Sequence, residues 1–511
     1  MANGDRVYDL LIIGGGINGV GIARDAAGRG LSVLLVEKDD LASHTSRWSS
    51  KLIHGGLRYL EQYEFRLVRE ALIEREVLLR AAPHIIWSLT FVLPHSPEQR
   101  PAWLVRMGLF LYDNLGGRKL LPGSNAVDLA RPGPYGDPLQ DWVKRGFTYS
   151  DAWVDDARLV VLNAMDAVER GAELLTHTTC ASAARNGDHW DVELVARKGT
   201  PFQRVKTRCL INAAGPWVSD VLQNVVRTNA AKQVRLVKGS HLIVPRLHPG
   251  NHPYILQNDD KRIVFVIPYE QEYSLIGTTD LPYEGDPGKV AIADEETNYL
   301  LRVVNRYFKK QLSKSDIVST YAGVRPLFDD TSANVSTVTR DYVFDLEHGP
   351  EKPPLLSIFG GKITTYRKLA EHALARLQPV MGFPQKGWTA DSHLPGGDIP
   401  HADFETYFRS QTKRYPWMPE DLLRRWARAY GTRLERVIGN AQDVNDLGEE
   451  IGSMAEAELI YLRDHEWAVS ADDVLWRRSK LGLHVPQESA AEIDAWFQRQ
   501  NSAPIAESAV A

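Results

Sequence analysis

The stretch that decides the fold runs from Val7 to Glu37 and reads VYDLLIIGGGINGVGIARDAAGRGLSVLLVE. It opens with a continuous apolar run typical of a buried parallel strand, and a second apolar run ends at Glu37. Between the two runs, Gly14, Gly16 and Gly19 form a GxGxxG pattern before an Ala-rich segment of helical character. The first glycine allows a tight turn, the second lets a pyrophosphate approach the backbone, and the third lets the helix pack on the strand.

This arrangement predicts a dinucleotide-binding unit. The N-terminus of the helix offers free N–H groups and a partial positive charge to phosphates. Glu37 closes the second strand, where a carboxylate accepts hydrogen bonds from ribose hydroxyls and favours an adenosine with a free 2′-OH. The pattern does not distinguish FAD from NAD.

The composition is that of a globular chain with room for two or three domains. Of 511 residues, 43% are hydrophobic and 24% charged, and the formal net charge of −5 gives no indication of nucleic-acid binding. Cys180 and Cys209 are the two cysteines and neither lies in a CxxC motif, so we expect a reducing cytoplasm, no disulfide framework and no metal site. We expect neither a secretory signal nor a membrane-spanning helix, while attachment to a membrane surface stays open.

Two stretches after the motif leave alternatives open. Lys51 to Tyr59, KLIHGGLRY, is either a glycine-hinged turn with surface charges or a loop along a cofactor, with Arg58 and Tyr59 facing a substrate. A helix is predicted over Glu61 to Arg80 by its apolar spacing. Pro101 to Leu121 mixes aromatic, aliphatic and basic residues, which fits a buried amphipathic helix or an interfacial membrane contact.

The rest of the chain predicts a second cofactor turn, a sheet and a helical end. The segment 209–217 indicates a strand that ends in a small-residue turn, and 234–324 is β-rich, which suggests a separate substrate domain. Pro354 to Leu377 contains a strand, the pair Gly360-Gly361 and a helix that Thr364 or Thr365 would cap. Beyond a predicted linker at 395–397, the sequence is helical and Trp-rich to about residue 500.

Several of these stretches resemble one known family. GGGING, SSKLIHGGLRYLE, SDAWVDDAR, NAAGPW, KGSH, IGTTD, GVRPL and FGGKITTYRKLAEHAL are similar to FAD-dependent glycerol-3-phosphate dehydrogenases of the aerobic bacterial type. The similarity runs from about residue 7 through the C-terminal HEWA and DVLWRRSKLGL segments. It therefore covers nearly the whole chain.

The resemblance implies an α/β and α+β fold with three parts. These are an FAD-binding Rossmann-like domain of the glutathione-reductase type, a β-sheet substrate-capping domain and a helical C-terminal domain. We place the FAD domain at 1–80, 150–225 and 335–390, the cap at 81–149 and 226–334, the helical domain at 395–500, and a disordered tail at 501–511.

The resemblance also implies an activity and its partners. The family oxidises sn-glycerol 3-phosphate to dihydroxyacetone phosphate with non-covalent FAD and passes electrons to ubiquinone or menaquinone. It further implies a homodimer bound peripherally on the cytoplasmic side of the inner membrane.

Site residues carry over by position. The cofactor set is Gly14, Gly16, Gly19, Glu37, Ser50, Lys51, His54, Gly55, Gly215, Gly361, Lys362 and Thr364. The substrate and phosphate set is Arg58, Tyr59, Lys238, His241, Arg325 and Arg340. The chain departs from the family at Ala214, where a Thr is usual, which puts one side-chain hydrogen bond in doubt.

The chemistry needs a hydride acceptor, a base and a phosphate cradle. Flavin N5 accepts hydride, and Lys362 would stabilise the charge of the reduced flavin. Guanidinium forks bind phosphate bidentately, which suits Arg58, Arg325 and Arg340. We hypothesise that His54 or His241 is the base, because an arginine such as Arg325 orients an alkoxide but does not release a proton.

Three rival functions stay open from the sequence. A glycerol-3-phosphate oxidase would share the fold and would hand electrons to O2. A soluble NAD-dependent dehydrogenase would leave the Lys51–Tyr59 and Gly360–Thr364 motifs without a purpose. A flavin-binding interaction module would need no phosphate cradle.

Overall fold

Two large sheets and a C-terminal group of helices make up the chain. The computed structural model describes residues 6–96, 98–196, 203–228, 233–260, 262–328, 341–384 and 386–502. The α-helices are α1 (Ile17–Gly28), α2 (Phe65–Ala81), α3 (Ala102–Leu115), α4 (Asp156–Glu169), α5 (Val218–Asp220), α6 (Asp294–Tyr307), α7 (Tyr366–Met381), α8 (Phe404–Arg414), α9 (Glu420–Tyr430), α10 (Leu434–Ile438), α11 (Glu456–Glu466) and α12 (Ser489–Ser502).

The strands follow the same order along the chain. They are β1 (Val7–Ile13), β2 (Val33–Val36), β3 (Leu52–Ile53), β4 (Ile86–His95), β5 (Asn125–Asp128), β6 (Arg145–Val154), β7 (Glu173–Leu175), β8 (Thr178–Asn186), β9 (His189–Ala196), β10 (Gln203–Asn212), β11 (Val234–Pro245), β12 (Tyr254–Gln257), β13 (Ile263–Tyr269), β14 (Tyr273–Gly277), β15 (Leu281–Tyr283), β16 (Ser319–Phe328), β17 (Val343–Gly349), β18 (Lys352–Phe359), β19 (Glu450–Ile451) and β20 (Met454–Ala455).

The first sheet is built around the dinucleotide motif. Its main path runs β17-β18-β10-β1-β2-β7, with β1 parallel to both β2 and β10 and β10 parallel to β18. Carboxyl ends of parallel strands meet at one edge, so the turns after β1, β10 and β18 lie together. Helix α1 packs against α4 and α7 on this sheet.

The second sheet has ten strands, and its strand β16 contacts the first sheet at β18 and at the turn after β10. Its main path is β15-β11-β14-β13-β12-β4-β6-β3, with β16 paired to β11 and β5 paired to β6. Strands β3 and β6 belong to this sheet, although the predicted division assigns 1–80 and 150–225 to the cofactor domain. The domain boundaries therefore stay a prediction.

Most predicted elements form, with three differences. The helix expected over 61–80 begins only at Phe65, because residues 57–62 form a tighter 3₁₀ turn. Helix α6 interrupts the β-rich segment and was not predicted. At the start of α7, Thr365 occupies the N-cap position, but its side chain makes no capping hydrogen bond.

The C-terminal part is helical, as predicted. Helices α8 to α11 bury Leu423 and Trp426 in a core continuous with that of the first sheet. The predicted linker is not solvated, because Gly396 and Gly397 pack tightly against the carbonyls of Tyr430 and Ala81. Residues 503–511 of the predicted tail lie outside the described residues. Among the described helices, none combines the length and the apolar composition that crossing a bilayer requires.

Candidate active site

The turn after β1 has room only for glycine. Gly14 has a φ of +114°, and a Cβ there would lie 2.6 Å from the Ala213 carbonyl oxygen. A Cβ on Gly19 would lie 1.9 Å from the Gly14 carbonyl oxygen. The two glycines therefore let β1, α1 and the turn after β10 approach one another, as the sequence predicts.

Glu37 stabilises this turn through hydrogen bonds. Its two carboxylate oxygens accept hydrogen bonds from Gly15 N at 2.7 Å and Asp39 N at 2.9 Å. Burial raises the pKa of Glu37, and the backbone hydrogen bonds act in the opposite direction. The side chain also lines the pocket beside the turn, where a ribose would lie.

The cofactor pocket extends from Glu37 across three turns. Gly14 and Gly16, Gly215, and Gly360 with Gly361 all line it. Gly215 has a φ of +56°, and the space where its Cβ would stand holds no protein atom within 4 Å. The Asn18 side chain links the first and last turns by donating to the Gly360 carbonyl at 3.1 Å. An elongated group with a pyrophosphate fits such a pocket, because glycine turns let the backbone come close to it at three points of the wall.

A larger cavity of about 870 Å³ opens next to this pocket. It gathers five of the predicted site residues, namely Ser50, His54, Arg58, Tyr59 and Arg325. Its other walls combine apolar and polar side chains. Helix α3 contributes apolar side chains, and strands β6, β12 and β13 contribute polar and aromatic ones.

His54 lies in a buried and electropositive part of the cavity wall. Its backbone N–H points to Thr364 Oγ1 at 3.3 Å, which ties the loop to the turn before α7. Burial lowers the pKa of His54, and Lys362, Arg75 and Arg325 lower it further, against the opposing effect of Asp151. The imidazole is therefore neutral near pH 7 and able to accept a proton.

A buried network supports the His54 loop. Asp151 accepts hydrogen bonds from Arg75 at 2.6 Å and from the Tyr112 hydroxyl at 2.8 Å, and that hydroxyl accepts one from Gly55 N at 2.8 Å. We did not predict this network. Its signal is an aspartate within the aromatic strand FTYSDAWV, since a charge in a buried strand requires a partner.

Arginines and carboxylates line the cavity together. Arg262 and Arg306 pair with Asp260 and Asp259. Arg325 lies 3.3 Å from an Asp280 oxygen, with 37% of its side chain exposed. Arg58 lies on the same wall as His54. This arrangement offers guanidinium groups to an anion beside a neutral imidazole.

The ring end of the cofactor pocket carries a further cation. The Lys362 ammonium lies 4.0 Å from the centre of the Tyr59 ring, a cation–π geometry. Gly361 has a φ of +106°, and a Cβ there would meet Asn18 at 2.9 Å. The turn thus holds Lys362 between the two pockets.

Three predicted site residues have their main contacts away from the cavity, namely Lys51, Lys238 and His241. Lys51 is buried and pairs with Asp156 at 2.8 Å, so it does not line either pocket. Lys238 pairs with Glu296 at 2.6 Å and also lies away from the cavity. Arg340 lies outside the described residues.

His241 lies behind the cavity wall. Its Nε2 is 2.9 Å from Ser50 Oγ, and its ring stacks on Tyr321 with centroids 4.6 Å apart. Burial holds the pKa of His241 well below its usual value, and the positive charges of Lys51 and Arg325 add to this effect. The Ser50 hydroxyl, which lines the cavity, offers a proton a route to His241.

Two family models match consecutive parts of the chain. The model described as FAD dependent oxidoreductase matches residues 9–367. The model described as the C-terminal domain of alpha-glycerophosphate oxidase matches residues 388–498. Together they cover both sheets and the helical end.

Similar proteins extend over the full chain. A D-erythritol 1-phosphate dehydrogenase of Brucella abortus is 55% identical over 96% of this chain and 98% of its own length. An aerobic glycerol-3-phosphate dehydrogenase of Escherichia coli is 53% identical over 96% and 97%, and a glycerol-3-phosphate dehydrogenase of Pseudomonas aeruginosa is 53% identical over 97% and 96%.

A solved structure is similar over nearly the whole chain as well. The glycerol-3-phosphate dehydrogenase of Bacillus halodurans in complex with FAD superposes with a TM-score of 0.74, at 25% identity, over 99% of this chain and 97% of its own. The glycine turns and the pocket they line fit the same cofactor. The chain belongs to the family of FAD-dependent oxidoreductases, and its cofactor is FAD.

Proposed function

We propose that this protein oxidises sn-glycerol 3-phosphate to dihydroxyacetone phosphate and passes the electrons from FAD to a membrane quinone. The carrying observation is the cavity that places His54, Arg58 and Arg325 beside the Gly360–Lys362 turn. Relatives named glycerol-3-phosphate dehydrogenases, 53% identical over almost the whole chain, support the substrate.

The chemistry follows from the charges of the cavity. FAD, when bound, supplies the acceptor for the hydride that leaves the secondary alcohol carbon. Arg58 and Arg325 hold the substrate phosphate, whose charge approaches two, and so fix the alcohol next to His54. His54 takes the hydroxyl proton, because its lowered pKa keeps the imidazole neutral at physiological pH.

The decisive experiment is spectroscopic. Anaerobic addition of sn-glycerol 3-phosphate to the purified holoenzyme should bleach the oxidised flavin absorbance within one turnover. An unchanged flavin spectrum would exclude the proposal. Release of hydrogen peroxide in step with turnover and without added quinone would point to the oxidase instead.

A second candidate substrate is a four-carbon polyol phosphate. It is favoured by the D-erythritol 1-phosphate dehydrogenase at 55% identity and by a cavity of about 870 Å³, which leaves room beyond a three-carbon chain. Stopped-flow measurements of flavin reduction with both phosphates would rank them by kcat/KM. A tenfold or larger preference for D-erythritol 1-phosphate would make it the substrate in place of sn-glycerol 3-phosphate.

The quinone acceptor requires contact with a membrane, and we place that contact on α3. Trp103, Met107 and Phe110 have 69%, 48% and 59% of their surfaces exposed. Their spacing of four and three residues puts them on one helix face. Such an apolar face with arginines nearby suits the boundary between lipid headgroups and acyl chains.

The membrane contact can be tested separately from the chemistry. The variant Trp103→Ser/Phe110→Ser should lose most of its binding to vesicles of anionic lipid and most of its quinone reduction. Anaerobic flavin reduction should stay unchanged. Trp142→Ser is the matched control, because Trp142 is 43% exposed but lies outside α3. Full vesicle binding by the double variant would rule out α3 as the contact. The homodimer implied by the resemblance stays a prediction.

A further inference from the structure

The C-terminal DVLWRR motif contacts the cofactor domain through one buried aspartate. Asp40 lies three residues after Glu37, and its side chain is 1% exposed. Arg477 Nε lies 2.5 Å from Asp40 Oδ2, and Arg478 Nη2 lies 2.8 Å from Oδ1. Although burial raises the pKa of Asp40, the two guanidinium groups lower it overall, so the aspartate is charged in the folded protein.

Both arginines are held in place by their own domain. Arg477 also pairs with Asp472 and Asp473, and the Val469 N–H donates to Asp473 at 2.8 Å. Arg478 Nε donates to the Glu466 carbonyl at 3.0 Å. The two guanidinium groups are therefore pre-organised before they meet Asp40, which makes the contact rigid.

Asp40 begins a loop that forms one wall of the cofactor pocket. Residues 42–46 of this loop all line the pocket. Ser43 Oγ donates to the Asp40 carbonyl at 2.6 Å, and Ala42 N donates to the Gly15 carbonyl at 3.4 Å. Ser46 Oγ accepts from Ile17 N at 3.0 Å, at the start of α1. The loop is thus fixed at both ends to the dinucleotide turn.

We propose that Arg477 and Arg478 are positioning residues for FAD, which hold the 39–46 loop closed over the dinucleotide turn through Asp40. The C-terminal domain then sets how tightly the cofactor is retained, although it supplies no side chain to either pocket described above. The inference depends on the FAD dependence of the family and not on which alcohol is oxidised. The inference can therefore be wrong while the proposed function is right, and the proposed function can be wrong while the inference is right.

The test compares FAD affinity with chemistry in Arg478→Gln. Arg478 acts on FAD only through Asp40 and the loop, so the FAD dissociation constant, measured by flavin fluorescence, should rise by up to about 10- to 100-fold, the full value of a charged hydrogen bond. Arg478→Lys, which keeps the charge but loses the fork, should give an intermediate value. At saturating FAD, the substrate KM and the rate of flavin reduction should stay within about twofold of wild type. Hydrogen exchange of residues 39–46 should accelerate.

Arg478→Gln leaves the buried Asp40 with Arg477 as its one remaining guanidinium partner of the two, which could lower stability enough to impair folding. The charge-matched variant Asp40→Asn/Arg478→Gln removes that problem and should show the same weakened FAD binding. Arg425→Gln is the control, because Arg425 pairs with the buried Glu458 wholly within the C-terminal domain. It should lower thermal stability and leave FAD affinity unchanged. Wild-type FAD affinity in the double variant, or an equal loss in Arg425→Gln, would overturn the proposal.

Discussion

The two neighbouring pockets of this protein are built by different means. The cofactor pocket is lined by three glycine turns, after β1, β10 and β18, together with side chains such as Glu37. The larger cavity, where we propose that the substrate binds, is walled by side chains from β6, β12, β13, β16, α3 and the loop before α2. Each glycine turn depends on conformation within a few residues, whereas the larger cavity depends throughout on side chains that distant strands bring together.

This difference explains which residues can be exchanged. A backbone wall tolerates no added atom where two chain segments touch, but it is indifferent to most side chains nearby. A side-chain wall tolerates changes of size at the cost of binding or rate. Substitutions in the cofactor pocket should therefore cause loss of flavin. Substitutions in the larger cavity should slow turnover while flavin stays bound.

The largest effect is expected in the cofactor pocket. Gly19→Ala would place a Cβ 1.9 Å from the Gly14 carbonyl oxygen, which forces α1 away from β1. A clash of this kind costs about 3 kcal/mol or more, roughly a 100-fold loss of FAD affinity. The ratio of flavin to protein absorbance measures it. Gly133→Ala is the control, since no atom lies within 4 Å of its Cβ position. Equal flavin in both variants would show that the close approach at Gly19 is not needed to bind FAD.

In the substrate cavity, the largest effect should come from the base. His54→Gln should slow flavin reduction by about 10²- to 10⁴-fold while flavin stays bound. The base must be unprotonated, and burial lowers the pKa of His54 from its usual value, so the wild-type rate should stay flat from neutral pH through the usual imidazole range and fall only at more acidic pH. His54→Gln should lose this acid limb.

The same experiment in His241→Ala distinguishes two routes for the proton. If this variant alone loses the acid limb, the proton travels through Ser50 to His241, because these two groups are 2.9 Å apart. If both variants keep the wild-type pH dependence of flavin reduction, the base is not a histidine.

The contrast between local turns and the pairing of distant elements also explains which features the sequence could predict. The turn at Gly14–Gly19 and the fold class were predictable, because strand, turn and helix are adjacent in the chain. Helix α6 was not, since its amphipathic pattern sits inside a β-rich segment where the topology decides. The Asp151 network joins three elements from positions 55 to 151, and no local pattern connects them.

Strand geometry bears on one pair of predicted site residues. Lys238 and His241 belong to the same predicted substrate set, and both lie on β11, three residues apart. Successive residues of a strand point to opposite faces, so residues three apart, such as these two, lie on opposite faces of the sheet. The register agrees: Val237 pairs with Arg325, and His241 with Tyr321, which leaves Lys238 facing α6.

The phosphate cradle should show a smaller effect than the base. Arg58→Lys keeps the charge but loses the bidentate fork, so KM for the phosphorylated alcohol should rise about 10- to 100-fold with flavin content unchanged. Arg262→Lys is the control on the same cavity, where Asp260 already pairs with the guanidinium. Equal increases in KM for the two variants would mean that Arg58 has no special role in binding the phosphate.

Lys238→Met should have the smallest effect on turnover, which would distinguish residues that face the cavity from those that do not. Because Lys238 faces Glu296 and not the cavity, KM and the rate of flavin reduction should stay within about twofold of wild type. Stability should fall by about 1–3 kcal/mol, since the substitution removes the cation from a carboxylate that Ser240 and Thr279 also contact. Thermal denaturation measures this loss, and the double variant Lys238→Met/Glu296→Gln should recover part of it. A KM that rises as much as in Arg58→Lys would instead place Lys238 at the phosphate, with the β11 strand turned by one residue relative to the register described here.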